Sequence, residues 1–178
     1  KTGETAYLFL QHFIKKLKLG GRCAVVIKNT FLSNSDKASV ALRKQLIEEC
    51  NLFTILDLPK GTFLGTGVST VVLFFEKKNS TKKIWYYKFN PNRNMGKTNA
   101  LNENDLSEFI DLSQKQQETK NSWIKDIKNI DTQTYDLKVI NPNDKEEIDE
   151  RTPAEIIKEI EQIELNTIKS IKKIKDLI

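Results

Sequence analysis

The sequence has too few metal-ligating side chains to build a metal centre. Of its 178 residues, two are cysteine and one is histidine, whereas a structural zinc site takes four such ligands. Cys23 and Cys50 both lie in apolar patterns, which is typical of buried free thiols in a reducing compartment. His12 lies among apolar neighbours of a predicted helix, where a packed or surface imidazole is far more common than a catalytic one.

Long apolar runs are also missing. No stretch approaches the roughly 20 apolar residues needed to cross a bilayer. Residues 1–4 show neither the apolar stretch nor the small-residue cleavage site of a secretory leader, and Lys1 need not be the native start because the chain does not begin with methionine. We therefore expect a cytoplasmic protein with no membrane partner.

Charge is distributed unevenly along the chain. Hydrophobic residues make up 38% and charged residues 30%, as in ordinary globular proteins and unlike disordered ones. Residues 1–100 carry 17 lysines and arginines against 6 acidic residues, and residues 101–178 carry 12 against 18. The basic first part suits a polyanion such as DNA, although a generally lysine-rich proteome explains it equally well. The acidic tail favours solubility or a protein contact.

Two helices are predicted in the first 50 residues. Apolar residues recur at spacings of three and four in residues 5–18 and again in residues 37–50, which is the pattern of one buried helix face. Ser35 or Asp36 is placed to cap the second helix, because short polar side chains accept hydrogen bonds from the first free N–H groups.

Four strands are predicted in the first 90 residues. Continuous apolar runs at residues 22–28 and 52–58 are typical of strands buried on both faces, as in a parallel sheet. Further strands are predicted at residues 68–76 and 84–89, which are rich in β-branched and aromatic residues. The connection 59–67 is too short for a helical crossover, so we expect the sheet to end in antiparallel pairing.

The sequence becomes more polar and irregular after residue 90. A helix is predicted between residues 101 and 117, and small apolar anchors occur at residues 123–127 and 135–137. We predict an irregular or helical extension over residues 91–150. Both a separate subdomain and a segment wrapped around the sheet fit this pattern.

A final amphipathic helix is predicted to begin at Thr152. Thr152 is a capping residue, Pro153 suits the first helical position, and Glu155 follows closely. The narrow apolar stripe is typical of a helix that packs on another helix, either in a partner or in this protein's own core. It consists of Ile157, Ile160, Ile163, Ile168, Ile171, Ile174 and Ile178.

The glycine-rich connection is the most informative loop. Gly61, Gly65 and Gly67 have the wrong spacing for a phosphate or dinucleotide loop and precede a strand. The loop nevertheless follows the carboxyl end of a predicted parallel strand, where ligands bind in such folds. Phe63 could stack on a base or tuck into the sheet edge.

Charged residues near this loop give weaker signals. Asp57 ends a strand and is a candidate site carboxylate, although a lone acidic residue there has little specificity. Five lysines could contact phosphates, and a solvated edge is the more economical account of the last four. They are Lys60, Lys77, Lys78, Lys82 and Lys83.

Three stretches of the sequence resemble one family. Residues 20–32 resemble the G-G-R-x-x-V-V-x-x-x-x-x-L segment of adenine-specific DNA methylases, and residues 56–74 resemble their L-P-x-G-x-F … T-G-V-x-T-x-x-L segment. Residues 135–142 and 151–156 are similar to the Y-D-L-S … N-P … R-x-P-x-E-I tail of type I modification subunits. By this resemblance the chain is identified as the C-terminal part of the modification subunit of a type I restriction–modification system.

The resemblance implies an α/β fold, the C-terminal half of a class I, Rossmann-like methyltransferase sheet. Residues 22–28 and 52–58 would be its parallel strands and residues 68–76 its antiparallel closing strand. It also implies a division into residues 1–90, part of the catalytic domain; residues 91–150, the extension; and residues 151–178, an amphipathic helix for subunit contact.

The resemblance implies transfer of a methyl group from S-adenosylmethionine to the exocyclic amino group of adenine in DNA. The family's glycine-rich cofactor motif and Asn-Pro-Pro-Phe-type motif are not in this sequence, since neither Asn90-Pro91 nor Asn141-Pro142 continues with Pro-Phe. We therefore expect no catalytic residue here, a fragment inactive by itself, and a cofactor bound mainly by residues upstream.

The resemblance also assigns contacts. Phe63 would stack on the flipped target base, with Lys60, Val68 and Ser69 as its neighbours. The expected partners are DNA, the specificity subunit and, in the full complex, the restriction subunit. A non-catalytic module that docks the specificity subunit and DNA is the alternative. The specificity subunit would contact Ile157, Ile160, Ile163, Ile168, Ile171 and Ile174.

Overall fold

The computed structural model describes residues 3–63, 67–143 and 152–175. The chain divides into two compact units, Lys1–Asp144 and Lys145–Ile178. In the described ranges, no helix combines the length and apolar character that a bilayer crossing requires.

The first helix, α1 (Thr5–Lys16), buries Tyr7, Leu10 and Ile14. These positions are three and four residues apart, so they share one face of the helix. The helix ends two residues before the predicted end, because Leu17 has extended backbone angles. The predicted helix is otherwise confirmed.

The second helix, α2 (Lys37–Glu49), is capped by Asp36. The Asp36 carboxylate accepts hydrogen bonds from the backbone N–H groups of Ala38 and Ser39, both at 3.0 Å. This satisfies two donors that a helix start leaves unpaired. Of the two predicted capping residues, Asp36 therefore performs the role.

Five strands form one mixed sheet in the order β1-β3-β2-β4-β5. β3 is antiparallel to both β1 and β2, so these two are parallel to each other. The predicted pair of parallel strands with an antiparallel third strand is confirmed, and the third strand lies between the other two. The strands are β1 (Arg22–Lys28), β2 (Asn51–Leu58), β3 (Thr70–Glu76), β4 (Lys83–Lys88) and β5 (Ser122–Asp126).

β4 differs from the predicted antiparallel ending, because it pairs parallel to β2. The turn between β3 and β4 therefore passes the start of β2, where Thr81 fixes it. The Thr81 hydroxyl accepts from the Leu52 N–H at 2.8 Å and donates to the Cys50 carbonyl at 2.9 Å. The Thr81 N–H donates to the carbonyl of Ile47 at 2.8 Å.

Both faces of the sheet are covered by apolar side chains. α1 and α2 pack on one face, where the buried cluster includes Cys50; Cys50 and the half-buried Cys23 are free thiols, as predicted. On the other face, Phe109 of helix α3 (Ser107–Ser113) stacks on Trp85 with ring centroids 5.8 Å apart. The helix predicted between residues 101 and 117 is thus confirmed.

Residues beyond 90 supply part of the sheet. β5 pairs antiparallel with β4, a strand that the sequence analysis did not predict. Only Ser122 and Trp123 of β5 are buried, which is too short a run to show a strand period. The domain boundaries at residues 90 and 150 remain predictions.

The segment 127–143, here called the strap, is held to the sheet and to α2 by hydrogen bonds. The Leu137 N–H donates to Leu32 O at 2.9 Å, and the Tyr86 hydroxyl donates to Leu137 O at 2.8 Å. The Tyr135 hydroxyl donates to Glu48 at 2.6 Å. The Tyr-Asp-Leu motif therefore attaches the strap to the sheet.

Arg43 lies beneath the strap and is fully buried. Its guanidinium donates to four backbone carbonyls at 2.6 to 2.8 Å, which replaces the hydration that burial removes. Two of these acceptors lie after β1 and two in the strap. They belong to Phe31, Asn34, Thr134 and Tyr135.

The second unit contains helix α4 (Pro153–Lys175). The Glu155 N–H donates to Thr152 Oγ1 at 3.3 Å, and the Thr152 N–H donates to the Glu155 carboxylate at 2.7 Å, so the predicted start is confirmed. Six isoleucines of the stripe are each 44 to 59% exposed, and Ile178 lies outside the described residues. The six are Ile157, Ile160, Ile163, Ile168, Ile171 and Ile174.

Candidate functional site

The candidate site lies at the carboxyl end of β2. β1, β2 and β4 run in the same direction, so their carboxyl ends meet at one edge of the sheet. In open α/β sheets this edge is where ligands bind, because loops and unpaired backbone groups converge there. The β2–β3 connection, residues 59–69, starts from this edge.

The four predicted site residues all lie on this connection. Phe63 is 38% exposed and Val68 is 44% exposed, while Lys60 is exposed and Ser69 half-buried. Residues 64–66 of the predicted loop lie outside the described residues. An aromatic side chain of this exposure presents part of its ring to solvent, as stacking on a base would require.

Gly61 fixes the first part of the connection. Its φ is +81°, a conformation that L side chains rarely adopt, and a Cβ there would lie 2.3 Å from the carbonyl oxygen of Met95. Thr62 closes the turn by donating its hydroxyl to the Pro59 carbonyl at 2.8 Å. A glycine is therefore required two residues before Phe63, for both backbone conformation and space.

Asn29 and Asp57 join the ends of the two parallel strands. Asn29 Nδ2 donates to Asp57 Oδ1 at 2.9 Å, and the Asn29 N–H donates to the carbonyl of Ser69 at 3.0 Å. Asn29 thus contacts β2 near its end, at Asp57, and the last residue of the β2–β3 connection, Ser69. The residue that follows β1 therefore holds both sides of the connection.

Asp57 is a half-buried carboxylate at this edge. Burial raises the pKa of Asp57, and the hydrogen bond from Asn29 and the charges of Lys88 and Lys138 oppose that rise. The sequence indicated Asp57 as a weak candidate but did not indicate Asn29. The available signal for Asn29 was its position directly after a predicted strand.

Thr70 adds an unused polar group to the same edge. It is the first residue of β3, is 7% exposed, and its hydroxyl has no hydrogen-bond partner among the residues described. A buried hydroxyl of this kind costs stability unless a partner satisfies it. The edge therefore offers a base-sized aromatic and an exposed lysine to a ligand, while the Thr70 hydroxyl itself lies buried.

This set of groups can bind and orient a ligand. It contains no arrangement of nucleophile and base at hydrogen-bond distance among the described residues, and no group of three or more His, Cys, Asp or Glu side chains there could hold a metal ion.

Comparisons with known proteins give consistent matches. The N-6 DNA Methylase family model matches residues 1–151. The type I restriction enzyme EcoEI methylase subunit of Escherichia coli is 34% identical over 153 residues, which are 80% of this chain and 31% of that subunit. The chain therefore spans about a third of the length of this relative.

Two solved structures share the fold. A chain from work on complex assembly and conformational transition of the type I R-M system has a TM-score of 0.73 and 29% identity, over 99% of this chain and 40% of that one. A modification subunit of a putative type I restriction enzyme from Vibrio vulnificus YJ016 has a TM-score of 0.72 and 31% identity, over 80% and 33%.

Proposed function

Because the chain belongs to the N-6 DNA methylase family, we propose that it is the C-terminal part of a type I modification subunit that methylates the exocyclic amino group of adenine in DNA. The observation that carries this proposal is the β2–β3 connection, which holds a half-exposed Phe63 at the ligand-binding edge of the sheet. This chain supplies substrate positioning, and the longer subunit supplies the methyl-transfer chemistry.

Phe63 stacks on the adenine after the base has left the duplex. Stacking on an aromatic ring compensates the base for the neighbours it loses, and it works for a flipped base because both faces are then accessible. Lys60, three residues earlier and exposed, is placed to contact a phosphate near the flipped nucleotide. Val68 and Ser69 border the same edge.

S-adenosylmethionine is bound mainly by residues upstream of this chain. The cofactor supplies the methyl group when bound. The role of this chain is to hold the adenine so that its amino nitrogen faces that group.

Methyl transfer from labelled S-adenosylmethionine to DNA tests the proposal. The 178-residue chain and the full-length subunit are compared, each with its specificity subunit, and methylated adenine is scored by mass spectrometry. Activity in the full-length sample alone supports the proposal. Activity in neither sample favours the second candidate function, a non-catalytic module that docks the specificity subunit and DNA. The exposed isoleucine stripe of α4 is the observation that supports this candidate.

Phe63→Ala in the full-length subunit tests the stacking role. Base–aromatic stacking contributes about 1–3 kcal/mol, so we expect methyl transfer to slow by about 5- to 150-fold with cofactor binding near normal. Phe13→Ala is the matched control, because Phe13 on α1 is 36% exposed, close to the 38% of Phe63. Loss of cofactor binding in Phe63→Ala would instead assign Phe63 a structural role.

The α4 stripe binds the specificity subunit. Six isoleucines along one face are all substantially exposed, so they are suited to packing on helices of a partner. The restriction subunit is a further partner in the full complex. Replacing Ile160, Ile163 and Ile171 with glutamate should abolish co-purification with the specificity subunit. Lys158→Glu, Gln162→Glu and Lys169→Glu, on the opposite face by helical spacing, form the matched control. Equal retention of both triple variants would disprove the assignment.

A further inference from the structure

A group of cationic side chains lies at the end of the sheet opposite the β2–β3 connection. It comprises residues from the chain after α1, the start of β1 and the turn between β3 and β4. We call this group the basic rim. Its members are Lys18, Arg22, Lys77, Lys78, Lys82 and Lys83.

Backbone hydrogen bonds make the basic rim one continuous surface. The Gly20 N–H donates to the Lys77 carbonyl at 2.7 Å, and the Lys77 N–H donates to the Gly21 carbonyl at 2.8 Å. Thr81 ties the same turn to the start of β2. The lysines therefore extend from a backbone that is fixed on both sides.

Most of the positive charge in the basic rim is uncompensated. Lys77 pairs with Glu49 at 3.0 Å, and Glu76 lies opposite Arg22 in the sheet. In the described part of the chain, Lys78, Lys82 and Lys83 are exposed and form no ion pair. Asp126 lies opposite Lys83 in the sheet. Six cations therefore face three carboxylates, and the rim keeps a positive net charge.

The surface between these lysines is concave. Cavities of about 340 and 500 Å³ open on either side of the turn, and Lys82 and Lys83 line both. Asn51 and Ser80 add polar groups to the smaller cavity. The smaller cavity lies between the unpaired ammonium groups of Lys78, Lys82 and Lys83 and suits phosphate oxygens, whereas Asp126 lines the larger one.

We propose that the basic rim binds the phosphate backbone of double-stranded DNA outside the segment that carries the target base. β2 has eight residues and rises by about 3.3 Å per residue, so the rim and the Phe63 loop are roughly 25 Å apart along the sheet. A segment at the rim is therefore distinct from one at the loop. The inference takes from the proposed function only that the partner is DNA.

The chemistry of the rim favours a nucleic acid over an acidic protein surface. Lysine is depleted in protein–protein interfaces, whereas duplex DNA presents one charge about every 1.7 Å and is bound by flexible ammonium groups without regard to sequence. The rim therefore adds affinity that is independent of sequence and sensitive to salt.

Binding of the 178-residue chain to a labelled duplex, measured by fluorescence anisotropy over a range of salt concentrations, tests the inference. The rim variant carries Lys78→Gln, Lys82→Gln and Lys83→Gln. The matched control removes three exposed lysines elsewhere, Lys44, Lys158 and Lys169, by the same substitution. Each phosphate contact contributes about 0.9 to the slope of log affinity against log salt, so the rim variant should lose about 2.7 and the control under about 1.

Equal slopes for the rim variant and the wild-type chain, or equal losses in the two triple variants, would overturn the inference. Polyglutamate serves as the probe for an acidic protein. The inference would also be overturned if the rim variant bound DNA as the wild type does but lost the binding to polyglutamate that the wild type shows, since that result would assign the rim to an acidic protein. Lys60→Gln and Phe63→Ala in the full-length subunit keep the tests separate. If these two variants transfer the methyl group as fast as the wild-type subunit, the proposed function is contradicted and the result for the rim is unaffected.

Discussion

Arg43 is the residue that holds the strap against the helices. It is fully buried and satisfies four carbonyls from two parts of the chain. Arg43→Met leaves those buried oxygens without donors, so we expect the free energy of unfolding to fall by about 3–5 kcal/mol. Urea unfolding measures the loss, and Lys44→Met, at an exposed neighbouring position, should change it by less than about 0.5 kcal/mol. A similar small change in both variants would contradict the role assigned to Arg43.

Asp57 should give the fold a measurable pH dependence. Burial raises the pKa of Asp57 above its unfolded value of about 3.9, so the folded state binds the proton more tightly. Stability is then lost as pH rises from the unfolded pKa through the raised folded pKa. Asp57→Asn removes this titration and keeps an acceptor for Asn29. The unfolding free energy of the wild type relative to this variant should fall across that window.

Asp36 provides a control whose effect on the pH dependence of the unfolding free energy has the opposite sign. Its hydrogen bonds with Ser39 lower the pKa of Asp36, so its contribution is present above the unfolded pKa and is lost as pH falls through the folded pKa. The wild type relative to Asp36→Asn should therefore gain stability as pH rises. Parallel pH profiles for the two comparisons would show that the two carboxylates do not differ as described.

Alanine substitutions at Gly61 and Gly20 distinguish the cost of backbone strain from the cost of a steric clash. Their φ values are +81° and +78°, but a Cβ meets Met95 at Gly61 and nothing within 4 Å at Gly20. Gly20→Ala should cost about 1 kcal/mol. Gly61→Ala should cost about 1–3 kcal/mol more, because the Met95 backbone must move. Equal losses in urea unfolding would mean that the Met95 contact relaxes freely.

The elements that the sequence predicted well are those with long apolar patterns. The bounds of β1 and α2 needed little or no correction, because each has a long apolar pattern. The prediction that β1 is buried on both faces was wrong, since β1 is an edge strand in which Ile27 alone is buried. β5 was missed because its buried part is two residues long. The parallel pairing of β4 with β2 could not be predicted either, since it depends on the contacts of Thr81 with residues about 30 positions away.

The sequence predicted the candidate site only in part. Phe63 was named from its place in the glycine-rich loop and through a family resemblance. Its partial exposure is compatible with stacking but does not test it. Asn29 lies 28 residues from Asp57, so no local pattern links the two. Their contact exists only because β1 and β2 end at the same edge, which is a property of the sheet topology.

At the scale of the whole molecule, the two units should be separable. α4 contributes no buried side chain, so a chain that ends at residue 144 should unfold within about 0.5 kcal/mol of the 178-residue chain. Urea unfolding followed by near-ultraviolet circular dichroism reports on Trp85 and Trp123, both in the first unit. A loss above about 2 kcal/mol would mean that α4 stabilises that unit.

The position of β3 between β1 and β2 determines when the strands can pair during synthesis on the ribosome. β1 and β2 emerge first, yet neither pairs with the other in the finished sheet, so both wait with open edges until Glu76 has left the exit tunnel. Nascent chains stalled before that point should be bound by chaperones that recognise exposed strands. Chains stalled after the strap has emerged should be bound less, because β3 has by then paired with both β1 and β2.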